Sequence, residues 1–392
     1  SNCYSTDDFI NPKFKPPCQG RCHEVAEGFF KIPVYANLRK PLKFLNLFLN
    51  QDLLRVLQKG PIFKFIPFIK ATIKIIKFKP DLIIAGPLPT TIVLYARFLK
   101  YINNKINIFS PPFSREAARR AGGFCKLLIN SSFHPTDQDF KQKPLINALK
   151  KADYLWTLTE SETNYFIKNF NINPKKIILA GNGVDLDFLK KEKLTPLLVK
   201  GGARGGFNIL FIGSLSSHKR VDLLIKSFSD LMSSLHQGRM SEGQVGLKIA
   251  GQKTLFYPQI EKLVKSLNPK IKSKIKFIFS FPQKDLSRLI NNCDVLVLPS
   301  IQESFGLVVI EAWARKKPVI CADIPALKEL VKKSNGGLLF KADDQNDLTK
   351  QIQFILNNPK KAQQMGQLAY KYVKNNYTWN KVGEKICQKV LS

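Results

Sequence analysis

From Lys79 onward, short uninterrupted apolar runs alternate with stretches whose apolar positions recur every three or four residues. Leu82, Ile83, Ile84 and Ala85 form a run that ends at Gly86 and reads as a strand buried on both faces, as strands of parallel sheets are. Thr91 to Lys100 has helical spacing, and Ile106 to Phe109 is a further short strand. The runs Ala152–Leu158 and Lys176–Ala180 read the same way. The second half keeps the rhythm. Strands are predicted at Asn208–Ile212, Leu247–Ala250, Ile275–Phe279, Val295–Leu298 and Pro318–Cys321. Between them the spacing predicts helices at Val221–Leu235, Tyr257–Leu267, Lys284–Asn291, Phe305–Ala314 and Leu327–Lys333. A last amphipathic helix follows Tyr377, Thr378 and Trp379, with the threonine placed to cap it.

Strand–helix–strand alternation implies parallel sheets covered by helices on both faces. The predicted class is α/β: two doubly wound, Rossmann-like domains whose open strand ends face a shared cleft. The expected domains are 1–183, 184–376 and a terminal helix, 377–392, packing back toward the first. The boundary is set at Val184, ahead of the polar 190–193 stretch and the glycine-rich 200–206 loop.

Composition narrows the classes further. Of 392 residues, 44% are hydrophobic, which excludes a disordered or fibrous chain. The formal net charge is +33, which favours polyanionic partners such as nucleic acid, anionic lipid or a phosphorylated substrate. The basic residues are mostly Lys and scattered, and no helix-turn-helix, zinc-finger or RNP pattern accompanies them. The expectation is no specific nucleic-acid binding, only weak salt-sensitive attraction. The most apolar stretch, 61–79, is interrupted by Lys64, Pro67, Lys70, Lys74 and Lys77, so it cannot span a bilayer. It reads equally as a basic amphipathic helix on anionic lipid and as a core helix with a solvated lysine face. Seven cysteines, with no signal-peptide pattern, argue against a disulfide framework and for the reducing cytoplasm. Cys3, Cys18, Cys22 and His23 match no common zinc spacing and are taken as free thiols and a loop histidine.

Two segments carry candidate chemistry. In the first, an apolar strand ends at Gly213 and Ser214, and a polar loop through His218, Lys219 and Arg220 leads into a helix. Backbone N–H groups, a helix N-terminus and the Lys219 ammonium could there receive a phosphate. In the second, a strand ends in Pro299 and Ser300, then Glu303, Ser304, Phe305 and Gly306 lead into the apolar run Leu307, Val308, Val309, Ile310. Glu303 and Glu311 are separated by seven residues, the glycine among them. Glu303 precedes the helix and can reach a sugar hydroxyl. Glu311, predicted two turns inside it, needs a hydrogen-bonding partner, which paired ribose hydroxyls would supply.

From about Lys79 to its end the chain resembles the GT-B-fold, retaining nucleotide-sugar glycosyltransferases of family 4 (glycosyl transferases group 1). The matching stretches are 79–85, Thr159–Glu162, Asn182–Asp185, Gly213–Lys219, Leu247–Gly251, the Glu303/Glu311 segment and Tyr377–Trp379. The resemblance implies transfer from a nucleoside diphosphate sugar with retention, to a cell-envelope glycan or lipid-linked acceptor. It assigns the donor sugar to Glu303, the ribose to Glu311, the diphosphate to Lys219 and the backbone of Phe305–Val308, and an active-site role to His134. Lys219 would replace a metal ion, so neither metal nor other cofactor is expected. The donor-side set is completed by Gly213, Ser214, Arg220, Ser304 and Phe281, the last as base contact because Phe279 replaces a glycine common there.

Ser214 stands where the family commonly has Arg. Arg220 or His218 could compensate, and the alternative reading is a catalytically weak or inactive basic binding protein on the same fold. Residues 1–35 resemble material beyond the family's second strand, so the expectation is that the first strand–helix unit is missing. The expected location is the cytoplasm, with a peripheral site on the inner face of the plasma membrane suggested by the basic, apolar 42–79 stretch.

Overall fold

The computed structural model describes residues 44–48, 82–86, 97, 126–131, 143–185, 206–235, 245–279, 281 and 283–391. His134, the predicted strand Ile106–Phe109, the 61–79 stretch, all but Arg97 of the predicted helix Thr91–Lys100, and the Cys3, Cys18, Cys22 and His23 group lie outside these residues. The described residues divide into two compact units. Residues 182–382 form one; those up to Gly181, together with 383–391, form the other.

The earlier unit is built on a parallel sheet of β1 (Phe44–Phe48), β2 (Leu82–Gly86), β3 (Lys126–Asn130), β4 (Tyr154–Thr157) and β5 (Ile177–Leu179). Its spatial order is the order of the chain. Leu127, Leu128, Ile129, Leu155 and Trp156 are buried at its centre. Helix α1 (Lys143–Lys151) buries Leu145, Ala148 and Leu149 and leaves Lys150 and Lys151 in its last turn, where they complement the helix dipole. Thr159 caps α2 (Glu160–Phe170) by accepting the Glu162 N–H, while the buried Glu162 carboxylate accepts the Leu158 N–H at 2.5 Å. The Thr159–Glu162 stretch therefore has a local job, closing orphan donors at a helix start.

The later unit holds β6 (Phe207–Ile212), β7 (Val245–Ala250), β8 (Ile275–Ile278), β9 (Val295–Leu298), β10 (Val319–Ala322) and β11 (Gly337–Phe340). All are parallel, in the order β11-β10-β9-β6-β7-β8. Its helices are α3 (Val221–Leu235), α4 (Tyr257–Lys265), α5 (Pro269–Lys272), α6 (Gln283–Asn291), α7 (Leu307–Ala314), α8 (Pro325–Ser334), α9 (Gln345–Asn357) and α10 (Pro359–Asn376). The four central strands are nearly all apolar and buried, as a sheet covered on both faces requires. Trp313 is fully buried and donates its Nε1–H to the Gly336 carbonyl at 2.9 Å. Helix α11 (Trp379–Leu391) follows a parallel bridge between Val184 and Thr378, and its last turn is tied by the Val390 carbonyl accepting from Lys126 Nζ at 2.8 Å. No helix among the described residues is long and apolar enough to cross a membrane.

Strand β9 and helix α3 have the predicted bounds to the residue. Strand β10 starts one residue late, at Val319, because Pro318 has no N–H to give the ladder. Strands β1, β3 and β11 and helices α1, α2, α5, α9 and α10 were not predicted. Helix α10 buries mainly Ala362, Gly366, Ala369 and Val373, a stripe of small side chains with little hydropathic contrast.

Candidate functional site

The strand order of the later sheet reverses once. After β6 the chain adds β7 and β8 on one side, then crosses to add β9, β10 and β11 on the other. Loops leaving the carboxyl ends of β6 and β9 therefore part in opposite directions, which opens a crevice where ligands of such sheets bind. Both candidate segments of the sequence are these two loops.

The first loop is set by backbone packing. Gly213 donates to the Ala250 carbonyl at 3.0 Å, and Leu215, fully buried, donates to the Gln252 carbonyl at 3.0 Å. Opposite it, a Cβ on Gly251 would stand 1.7 Å from the Gly213 carbonyl oxygen, so only glycine allows the two chains to approach this closely. The loop then makes a 3₁₀ turn, Ser217–Lys219, closed by Arg220 in the left-handed region (φ 51°) before α3 begins. Ser214, Ser216 and His218 are linked side chain to side chain at 3.1 and 3.4 Å.

The second loop leaves β9 through Pro299 and Ser300 and is tied to the first by the Ile301 N–H donating to the His218 carbonyl at 2.9 Å. Across this tie, Lys219 Nζ meets Glu303 Oε1 at 2.5 Å, with side chains only 15% and 12% exposed. The resemblance assigned these two groups to adjoining parts of a donor, the diphosphate and the sugar; in the structure they touch each other. Cys321, buried on the neighbouring β10, has its thiol pKa pushed far up, chiefly by burial and secondarily by the Glu303 charge. Ser300 is fully buried, and its hydroxyl has no hydrogen-bond partner. An orphaned buried hydroxyl is uncommon in a native fold.

Gly306 (φ 88°, ψ 57°) sits in the left-handed region ahead of α7, and a Cβ there would also crowd Leu327 Cδ2 at 2.7 Å. The helix therefore starts at Leu307 and not at the predicted Phe305. Glu311, buried at 7% exposure, is consequently one turn inside it and not two. The N-terminal turn of α7 leaves the first amides of Leu307 and Val308 unmatched within the helix, as all helix starts do. Phe305 is buried edge-to-face against Tyr377, ring centroids 5.3 Å apart, so what it can offer a ligand is main chain.

Arg220 is engaged elsewhere: Nη1 bonds Asp343 Oδ1, and Nε reaches Asp222 Oδ1 at 3.4 Å. Ser304 and Phe281 are half-buried. Phe279 stacks on Phe277 (5.5 Å) and meets Tyr257 edge-on (5.2 Å), while Lys253 Nζ lies over the Tyr257 and Phe279 rings at 4.5 and 4.4 Å. Sequence reasoning overlooked Ser300, Lys253 and Asp343. The signal for Lys253 was available, since it lies two residues after Gly251 at a strand's carboxyl end. Among the described residues no three His, Cys, Asp or Glu side chains are grouped to hold a metal ion.

These two sheets define the fold as GT-B, which is also the fold of the solved structures the chain is similar to. Anabaena HepE in complex with UDP superposes with a TM-score of 0.62 at 18% identity, over 82% of this chain and 81% of that one. A glycosyltransferase from Rickettsia africae gives a TM-score of 0.62 at 19% identity, over 86% and 83%. Residues 200–372, which include both loops, match the family Glycosyl transferases group 1. Among curated proteins, an uncharacterized glycosyltransferase of Methanocaldococcus jannaschii is 27% identical over 61% of this chain and 65% of its own length. A Campylobacter jejuni enzyme, the N-acetylgalactosamine-N,N'-diacetylbacillosaminyl-diphospho-undecaprenol 4-alpha-N-acetylgalactosaminyltransferase, is 26% identical over 64% and 66%. The chain thus spans just under two thirds of the length of these curated relatives.

Proposed function

We propose that the protein is a glycosyltransferase that moves a sugar from a nucleoside diphosphate sugar, with retention, to a cell-envelope glycan or lipid-linked acceptor. The observation that carries this is the meeting of Lys219 and Glu303 at the point where the strand order reverses, inside the matched segment. Retention and freedom from metal are carried by the resemblance alone. The lipid-linked acceptor is favoured by the undecaprenol named for the Campylobacter relative.

In this reading the donor's diphosphate draws the Lys219 ammonium off Glu303, and the amides opening α7 share the phosphate charge. Negative charge grows on the diphosphate as the glycosidic bond lengthens, and donors fixed toward it lower the barrier. Glu303, freed of its partner, accepts from sugar hydroxyls and holds the anomeric carbon toward the acceptor. Glu311 accepts from the ribose. Arg220, already bonded to two aspartates, has less to offer the diphosphate than the sequence suggested. Ser214 contributes a neutral hydroxyl, so transition-state stabilisation falls mainly on Lys219.

The test is sugar transfer and donor hydrolysis by the full chain over a panel of nucleotide sugars, with and without EDTA. Glu303→Ala and Lys219→Ala should each lower kcat/KM by about 100- to 1000-fold, the size typical of removing one charge-stabilising group. Wild-type turnover should survive EDTA. Turnover indifferent to both substitutions would overturn the assignment. Nucleotide binding without turnover would favour the alternative, a binding protein on this fold, for which Ser214 speaks.

A further inference from the structure

Leu255 is 98% exposed, at the tip of the loop joining β7 to α4. It opens the most basic part of the later unit. Residues 253–276 hold seven Lys against a single Glu, whereas residues 283–391 hold 17 basic against 10 acidic side chains. Six of the seven lysines are exposed: Lys253, Lys262, Lys265, Lys270, Lys272 and Lys276. The one acid, Glu261, is already paired with Lys265 at 3.3 Å. These residues make up the β7–α4 loop, α4, α5 and β8, and among the described residues β8 is the last strand on its side of the sheet.

Lysines along an edge strand have an ordinary use, keeping the edge from pairing with another chain. That use explains Lys276 on β8 but not a cluster that extends through α4 and α5, and it does not explain a leucine held almost wholly in water. An exposed apolar tip beside a concentrated positive field matches the two-part chemistry of a membrane interface. Such a surface attracts lysines to anionic headgroups and takes an apolar side chain into the acyl boundary. A nucleic acid would use the lysines and leave Leu255 without a role.

We propose that this edge of the later sheet docks on an anionic lipid surface, with Leu255 inserting and the exposed lysines of α4, α5 and β8 contacting headgroups. The proposal stands independently of the catalytic reading. It has a geometric consequence for it: the Leu255 loop is hydrogen-bonded to the first site loop, through Leu215 N–H to the Gln252 carbonyl at 3.0 Å and Thr254 Oγ1 to the Leu215 carbonyl at 2.5 Å. Docking would hold the carboxyl ends of β6 and β7 next to the bilayer, where a lipid-linked acceptor resides.

The experiment is sedimentation of the full chain with phosphatidylglycerol–phosphatidylcholine vesicles and with phosphatidylcholine vesicles alone, at low and moderate salt. Wild type should sediment with the former only. Leu255→Asp should weaken binding about ten-fold, and combined Lys262→Glu, Lys265→Glu, Lys270→Glu and Lys272→Glu should do so at least as strongly. The same four reversals moved to the exposed Lys350, Lys360, Lys371 and Lys374 of α9 and α10 should change it by no more than about three-fold. All these positions are on the surface, and a thermal melt of each variant checks its fold. Equal loss from both quadruple variants, or wild-type binding by Leu255→Asp, overturns the proposal. So does tighter binding of homopolymeric RNA than of vesicles, unaffected by Leu255→Asp.

Discussion

Two serines stand just past the carboxyl ends of two parallel strands, both fully buried, and their surroundings differ. Ser131, after β3, donates its hydroxyl to the Trp156 carbonyl at 2.9 Å; Ser300, after β9, has no partner. A similar contrast runs between the described parts of the two sheets. In the sheet whose strand order follows the chain, several described polar groups at the carboxyl edge are spent on the fold itself. The Glu162 carboxylate holds the Leu158 amide, Thr157 pairs with Thr163 at 2.7 Å, and Trp156 Nε1 donates to the Gly181 carbonyl. Where the order reverses, the loops diverge. The groups at that edge include a lysine, a carboxylate that neutralises it, and a buried hydroxyl with no hydrogen-bond partner.

The sharpest break of this comparison sets Glu303 against Glu162. Glu303→Gln should lower kcat/KM by about 100-fold or more with little change in Tm, because the isosteric amide still accepts from Lys219. Glu162→Gln should do the reverse, lowering stability by about 1–2 kcal/mol in a denaturant titration while leaving kcat per folded molecule intact.

A smaller effect is expected from the serines. Ser131→Ala should cost about 1 kcal/mol, the worth of a buried hydrogen bond. Ser300→Ala should be neutral or stabilising in the absence of donor, since it removes an unsatisfied hydroxyl. A loss at Ser300 as large as at Ser131 would erase the distinction between the edges.

The smallest effect concerns alkaline pH. Burial raises the Cys293 thiol from 9.0 to about 12, and burial also raises Cys387, at the end of the chain, to about 11. The unfolded thiol ionises first, so the stability each neutral thiol contributes is full well below pH 9.0 and declines as pH rises toward the folded value. Relative to Cys293→Ala, wild type should lose about half a kcal/mol between pH 7 and pH 9 in parallel denaturant titrations. Equal pH slopes for the two proteins would show that burial does not disfavour this thiolate.

Most elements of the later unit were legible because their apolar runs are bounded by strong breakers. Strand β9 is stopped by Pro299, and α3 begins where the polar Ser216–Arg220 loop gives way to Val221. The α7 boundary misled because Phe305 continues the hydrophobic pattern, whereas the backbone angle of Gly306 forbids the helix from reaching it. Thr159–Glu162 entered as part of a resemblance and proved to be a helix cap. Lys219 and Glu303 were legible as candidates one by one. Their contact was not: the two lie 84 residues apart and meet only because β6 pairs with β9, and periodicity carries no information on which strands become neighbours.

An ammonium already matched by a carboxylate presents little net field to passing anions. Inorganic phosphate would take Lys219 only by stranding Glu303 with a charge and no counterion, mostly shielded from water. A molecule that brings an anion and hydroxyl groups together satisfies both halves at once. If the site receives the donor proposed above, the closed pair would act as a discriminator, disfavouring small anions that bring no hydroxyl groups and favouring those that carry a polyol beside their phosphates.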